Sequence, residues 1–323
     1  MYMLKRIVLL LIFILFQVAF GAQKELVLMS YNVNLLPNIP ISDLTKNLNH
    51  PYKRSELIAE EIGKINPDVV TFQEDIAPLS FAILNVNMKD KGYRYRTKVV
   101  GSWDWRHPNL LNGGVVIYSK YPFFGQPDYL IYPSSLGWEA VSNKGAVYVA
   151  IKKEARLYHI VATHTQSLDS DTSSADYQIQ FQRWKMQINA LSQFVANLRL
   201  DSHDRVILLG DFNADSGKAE PRSMAVPEFG SAYDYLISNL KAREAAPYTA
   251  DTRAYSYDSK TNKMAAVSGQ ERTTLDHVLC LADYRCPETS ISTIDIMALK
   301  SVKLGETSDL SDHYAVLANL YYP

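Results

Sequence analysis

The sequence predicts two β-sheets packed face to face, with helices on the outside. Three observations predict it. Short apolar runs rich in β-branched and aromatic residues recur along the whole chain. Only two segments carry a strong helical period. No repeat, low-complexity tract or Gly/Ser linker divides the chain after its N-terminal segment, so residues 22–323 read as one domain. Many strands and few amphipathic helices are best buried as a sandwich with the helices packed on its faces.

The strand candidates are Leu26–Tyr31, Val69–Gln73, Val115–Ser119, Ala146–Ile151, Tyr158–Thr163, Val206–Leu209, Thr274–Cys280 and Tyr314–Leu320. A first helix is expected over Arg54–Asn66, where Leu57, Ile58, Ile62 and Ile65 share a face and Pro67 ends the run. A second is expected from about Asp176 to Leu200. Its Trp184, Ile188, Leu191, Val195 and Leu198 recur at steps of four and three, and Ser173 with Asp176 fits a capping box.

Residues 1–21 read as a signal peptide: Lys5-Arg6, an apolar run from Ile7 to Phe16, and small residues at Ala19 and Gly21 before a cleavage point. An uncleaved anchor is the alternative, and either one implies export. The whole chain is 47% hydrophobic and 21% charged, an ordinary globular balance. Its net charge is -1, and loss of Lys5 and Arg6 would leave 31 basic against 34 acidic residues. No global basic field draws it to nucleic acid or anionic lipid, although a local basic patch stays open. The two cysteines, Cys280 and Cys286, leave two readings: a disulfide across a turn, or a buried thiol beside an incidental one.

The chemistry lies where strands end. Leu26–Ser30 runs into Tyr31-Asn32, and the run through Phe72 into Gln73-Glu74. The run through Thr163 meets His164, and that through Leu209 meets Gly210-Asp211-Phe212-Asn213. Leu275 precedes Asp276, and Ser311-Asp312-His313 precedes the last strand. Strand ends of one sheet lie close together, so Asn32, Glu74, His164, Asp211, Asn213, Asp276, Asp312 and His313 are expected to converge at one rim. Carboxylate and amide oxygens suit a hard cation such as Mg2+, and the imidazoles suit proton transfer and phosphate binding. The cluster lacks cysteine, which argues against structural zinc. Each element alone reads as an ordinary turn or surface pair; their joint recurrence after apolar runs is the signal.

That order resembles the endonuclease/exonuclease/phosphatase superfamily, through SYNVN at 30–34, QE at 73–74, THTQ at 163–166, GDFN at 210–213, LDH at 275–277 and SDH at 311–313. The resemblance implies a four-layer α/β sandwich, two facing mixed β-sheets flanked by helices, with the site at one rim. NGGVVIYSKYP at 112–122, SNKGAVYVAI at 142–151, HTQSLDSD at 164–171 and YDSKTNKMA at 257–265 are similar to bacterial neutral sphingomyelinases. These secreted, haemolysin-type enzymes cut sphingomyelin to ceramide and phosphocholine.

Carried to this chain, the resemblance implies Mg2+, with Mn2+ or Co2+ as substitutes, held by Glu74, Asn32, Asp211 and Asn213. Asp211 and Asn213 would position the attacking water and a phosphate oxygen. His164 would bond the phosphate or assist the leaving alkoxide. Asp276 would hold His164 or the metal shell. His313 would be the general base, and Asp312 would orient it or its neighbours. Sphingomyelin in membranes or micelles is the implied partner, met by a monomer. A secreted nuclease or another phosphodiesterase would share the metal site, but no concentrated basic run favours nucleic acid. An inert binding protein would be expected to lack Glu74, Asp211 or His313, and all are present.

The chain departs from the pattern in three places. An acidic pair of the edge metal site is replaced by Leu111 and Asn112. The cysteines near the Gly-Trp and histidine loops are absent, with Ser167, Asp169 and Asp171 in the latter region. The aromatic membrane hairpin expected between the last two motifs is represented by residues 289–308. That stretch carries Ile291, Ile294, Ile296, Met297, Leu299, Val302 and Leu304 and no aromatic residue. Weak peripheral membrane contact is the expectation. Trp103 and Trp105 are expected in a loop, where they would either pack beneath it or grip a headgroup.

Overall fold

The computed structural model describes residues 26–37, 50–102, 111–133, 135–168, 174–217, 231–265, 272–304 and 308–323. The expected signal segment, Ser173, Asp169, Asp171, Trp103 and Trp105 lie outside them. The strands in chain order are β1 (Leu26–Leu35), β2 (Val69–Asp75), β3 (Tyr95–Arg96), β4 (Leu111–Asn112), β5 (Val116–Ser119), β6 (Asp128–Ile131), β7 (Ser142–Asn143), β8 (Gly145–Lys153), β9 (Arg156–His164), β10 (Arg205–Asp211), β11 (Ala242–Glu244), β12 (Tyr257–Asp258), β13 (Arg272–Thr273), β14 (Asp276–Leu281), β15 (Thr293–Met297) and β16 (Ala315–Leu320). The helices are α1 (Pro51–Ile65), α2 (Pro78–Asp90), α3 (Ser174–Asn197) and α4 (Ala232–Leu240).

Two six-stranded sheets form, in the orders β15-β16-β1-β2-β5-β3 and β11-β14-β10-β9-β8-β6. Their centres repeat one pattern. A parallel pair, β1 with β2 or β10 with β9, is flanked on both sides by antiparallel partners. Inward side chains such as Leu28, Ile117, Ile160, Leu209, Val278 and Val316 form the core between the sheets. Trp184, Ile188 and Leu191 of α3 pack with the outward face of the second sheet. Leu57, Ile58 and Ile62 of α1 pack on the first sheet with Phe72 and Tyr118. The layers are therefore helix, sheet, sheet, helix, as expected.

Several boundaries moved. Helix α1 begins at Pro51, because proline suits the first helical turn. Strand β15 occupies part of residues 289–308, the stretch that stands where the resemblance implies a membrane hairpin. It pairs with β16, and Ile294 and Ile296 are buried in the inter-sheet core. Cys280 and Cys286 form a disulfide with a Cα–Cα distance of 5.6 Å, tying β14 to the segment that follows it.

Arg54 joins this framework to the site. Its guanidinium is buried and donates to the carbonyls of Val33, Asn34 and Leu310, so one cation holds the end of β1 and the approach to His313. Burial lowers its pKa to about 10, opposed by Tyr31 and by Asp312 and Glu74. Arg54→Met is expected to cost on the order of 3 kcal/mol of stability, because buried carbonyls lose charged donors. Denaturant unfolding reads it; an unchanged midpoint would mean that these carbonyls find other partners.

Candidate metal-dependent active site

The repeated sheet pattern builds the site. Asn32 and Glu74 lie near the ends of β1 and β2 in one sheet, Asn32 just before the register shift, and His164 and Asp211 are the last residues of β9 and β10 in the other. Antiparallel neighbours begin at the same rim, so Asp276 stands across from Asp211, and Gly145 across from His164. Carboxyl ends of parallel strands gather polar groups where loops diverge. Here the two sheets bring two such ends together. Asn32 Nδ2 bridges them, donating to Glu74 Oε1 at 3.1 Å and to Asp211 Oδ2 at 3.0 Å.

Local backbone geometry serves this convergence. The β1–β2 register shifts between Asn32 and Leu35, where the chain turns at the rim. Glu74 itself sits at φ 59°, a left-handed conformation that a non-glycine residue holds only against strain. Gly114 lies against it: a Cβ there would meet the Glu74 Cα at 2.8 Å. Asn112, where the resemblance implied an acidic edge-site ligand, instead caps this turn. Its Oδ1 accepts from Gly114 N at 2.8 Å and its Nδ2 donates to Ile76 O. On the other sheet, Trp184 Nε1 of α3 and Thr165 Oγ1 both donate to Phe212 O, fixing the loop after Asp211.

Asp211 Oδ2 is central. His164 Nε2 lies 3.5 Å from it and His313 Nε2 3.8 Å, while His164 Nε2 is 3.9 Å from Glu74 Oε1. Asn213, at φ 49°, donates its backbone N–H to Asp211 Oδ1 and its amide to Thr165 O. The structure separates the alternatives expected for Asp276 and Asp312. Asp276 Oδ2 pairs with His313 Nδ1 at 2.8 Å and not with His164. Asp312 accepts from Ser311 Oγ and forms no hydrogen bond with the His313 ring; it acts on His313 and Glu74 through its charge.

The donor set fits a divalent metal. Burial pushes Glu74 up to about 7, reinforced by Asp312. Burial pushes Asp211 up to about 6, reinforced by Asp276. These carboxylates therefore resist ionisation on their own. Asp276 Oδ1 is buried with no hydrogen-bond partner among the described residues. Asp211, Asp276 and His313 bring donor atoms within 4.8 Å of one another. Oxygen-rich and negative, with Asp211 and Asp276 buried and Glu74 partly exposed at the opening, the cluster is what a hard cation compensates.

The histidines are held in opposite states. Burial lowers the His164 pKa, and the cations Lys144 and His313 lower it further. Burial also disfavours charge on His313, but Asp276, Asp211 and Asp312 outweigh it and hold that pKa well above the ordinary value.

Several supporting residues were missed from sequence. Lys144 is buried and bonds His164 Nε2 at 3.0 Å and Thr165 O at 2.8 Å, with Glu139 as its ion-pair partner. The sequence shows it only within the SNKGAVYVAI stretch. Asn262 donates to both Ser311 O and Asp312 O, so the 257–265 stretch clamps the loop that carries His313. His277 places its ring nitrogens 2.8 Å from Glu244 Oε1 and from Ala214 O, bracing the chain just after Asn213. A buried polar residue beside each motif was the available signal.

Residues 29–313 match the Endonuclease/Exonuclease/phosphatase family, and the chain belongs to it. Sphingomyelinase C 2 of Leptospira interrogans is 29% identical over 316 residues, covering 92% of this chain and 46% of that protein. The chain thus spans about half the length of this curated relative. Phospholipase C of Staphylococcus aureus is 28% identical, covering 91% of this chain and 87% of that protein. The crystal structure of a double mutant of Staphylococcus aureus beta toxin with bound magnesium ions superposes with a TM-score of 0.76. It is 25% identical and covers 92% of this chain and 99% of its own.

Proposed function

We propose that this chain is an exported, Mg2+-dependent phosphodiesterase that hydrolyses sphingomyelin to ceramide and phosphocholine. The observation that carries the chemistry is the Asp276–His313 pair set against the Glu74–Asn32–Asp211 cluster. The substrate is supported by the names of relatives, sphingomyelinase C from Leptospira interrogans and Bacillus cereus.

Glu74, Asn32 and Asp211 would hold the cation, with Asn213 beside them and Asp276 completing the negative shell. Bound there, Mg2+ supplies neutralisation of charge on the non-bridging phosphate oxygens and on the leaving oxygen. Asp276 fixes the His313 ring by its Nδ1 and leaves Nε2 facing Asp211. A cation bound among the carboxylates would offset the charges that hold a proton on His313, leaving its Nε2 able to take a proton from water while Asp276 stabilises the imidazolium that forms. The water oxygen bonds to phosphorus and the phosphorus–ceramide oxygen bond breaks. The departing alkoxide takes a proton from solvent and leaves as ceramide, phosphocholine is released, and His313 returns the water's proton to solvent. Lys144 and burial keep His164 neutral, so it contacts the phosphate as a hydrogen-bonding group without adding charge.

The test is hydrolysis of sphingomyelin, phosphatidylcholine, DNA and inositol phosphates with and without Mg2+, and with Mn2+ or Co2+ in its place. Sphingomyelin turnover that requires the metal is expected. Sphingomyelin in mixed micelles is expected to be cleaved much faster than in neutral vesicles, since residues 289–308 offer no aromatic side chain for an interface. Hydrolysis of DNA alone would reassign the substrate. Equal rates on micelles and neutral vesicles would refute the weak-contact part.

A further inference from the structure

Helix α2 leaves the catalytic rim directly after β2, and it is apolar on more than one side. Leu84 and Met88 are buried beneath it, yet Leu79 is 54% and Val86 58% exposed. Seven residues apart, they occupy the same face two turns from each other, with exposed Ala82 between them. The edge segment beside this helix is basic. Arg96 and Lys98 are exposed while Thr97 and Val99 between and after them are buried, so the cations fall on one face. Arg94 extends that row, and the Arg96 guanidinium lies over the ring of Phe81 on α2, 4.8 Å from its centroid. Arg94, Arg96 and Lys98, with Tyr95 and Phe123, line a surface pocket of about 400 Å3. Arg94 and Lys98 form no ion pair among the described residues, while Arg96 donates to Thr97 O and its charge reaches the buried Asp75 carboxyl.

We propose that the α2 stripe, together with the Arg94–Lys98 row on the flank of the helix that carries Phe81, forms a docking surface for a lipid interface bearing anionic headgroups. The inference rests on the lipid reading of the active site and adds the kind of surface on which that site works. Charge complementarity selects the occupant. Aliphatic side chains enter the acyl boundary while flanking cations meet anionic headgroups, the combination by which peripheral proteins hold a membrane surface. A second copy of the chain is disfavoured, because a two-fold interface would set this cation row against itself. A nucleic acid would use the cations but gives Leu79 and Val86 nothing to bury against. Continuity with the site is direct, since α2 begins at Pro78, four residues after Glu74. A surface that covers the stripe therefore lies beside the rim that must receive the substrate.

The experiment is co-sedimentation of the full chain with sphingomyelin/phosphatidylcholine vesicles, with and without phosphatidylserine, in chelator so that no substrate is consumed. Phosphatidylserine is expected to raise binding severalfold, with high salt reversing the gain. The double variant Arg94→Glu, Lys98→Glu is expected to lose roughly fivefold in binding for each cation removed. Leu79→Ser with Val86→Ser is expected to weaken binding to the same vesicles, while both variants keep full turnover of a water-soluble aryl phosphocholine diester. Equal binding of the charge-reversed and unchanged chains, or binding to an oligonucleotide with none to vesicles, overturns the proposal. Failure of the sphingomyelin reading would show in the turnover assays and not in this sedimentation.

Discussion

Replacing His313 by alanine is expected to lower kcat and kcat/KM together, by about 100- to 10,000-fold, with substrate affinity nearly unchanged. A group that acts only as the transition state forms affects both constants equally. His313 has the structure of such a group. Asp276 holds Nδ1 at 2.8 Å, the backbone around it is clamped by Asn262, and Tyr257 packs edge-on with ring centroids 5.1 Å apart. The ring thus has one orientation, with Nε2 turned toward Asp211. His164 differs: its Nε2 is engaged by Lys144, and burial with two cations disfavours its protonation. Steady-state kinetics with a soluble diester measure the effect. Near-normal turnover would transfer the base to His164. The Mg2+-induced rise in Tm provides a second readout, because His313 also lies within the compact Asp211–Asp276–His313 donor group. Retention of that rise supports a base; its loss makes His313 a ligand.

The two sheets were legible because their central strands carry the apolar load. Runs such as Val206–Leu209 and Val69–Phe72 are buried on both faces, so composition alone marks them. The same runs located the site, since each ends in a polar residue at the rim. What escaped lacked its own period. Helix α2 scatters its polar residues, Ser80, Asn85, Asn87, Lys89 and Asp90, round all sides among the apolar ones, so no amphipathic face announces it. Edge strands such as β3 and β11 are two or three residues long and exist only because a neighbour offers hydrogen bonds.

Site residues split along the same line. Asn32, Glu74, His164, Asp211 and Asp276 stand at strand ends and were found there. The pairing among them was not, because sequence order does not say that β14 and the loop before β16 face each other across the two sheets. That is why Asp276 was assigned to either His164 or the metal shell, and why it is found on His313. Arg54, Lys144 and Asn262 act on backbone carbonyls or on another side chain across the fold. A residue whose partner is fixed only by tertiary structure leaves little local signature beyond being polar in a buried stretch.

Glu74→Gln is expected to abolish turnover at every Mg2+ concentration reachable without precipitation, while leaving the metal-free protein as stable as before or more so. The two halves have one cause. Glu74 is held among like charges at the partly exposed mouth of the site, where desolvation and then Asp312 push it up to about 7. A carboxyl whose folded pKa lies above its unfolded value destabilises the fold once pH exceeds the unfolded value, and increasingly so through neutrality. The amide removes that charge, and it keeps the same side-chain length and the same left-handed backbone at φ 59°, so the comparison isolates electrostatics. Cation binding normally repays the repulsion. For the unchanged chain, Mg2+ at about one hundred times its Kd would add about 2.7 kcal/mol through mass action, and this linked gain is expected to shrink sharply in the variant. Thermal unfolding with and without Mg2+ reads both effects, alongside activity after chelation and readdition of metal. A variant that unfolds much earlier in chelator would show Glu74 to be a structural acceptor for Asn32. A variant that keeps the full Mg2+ shift would place the cation on Asp211 and Asp276 alone.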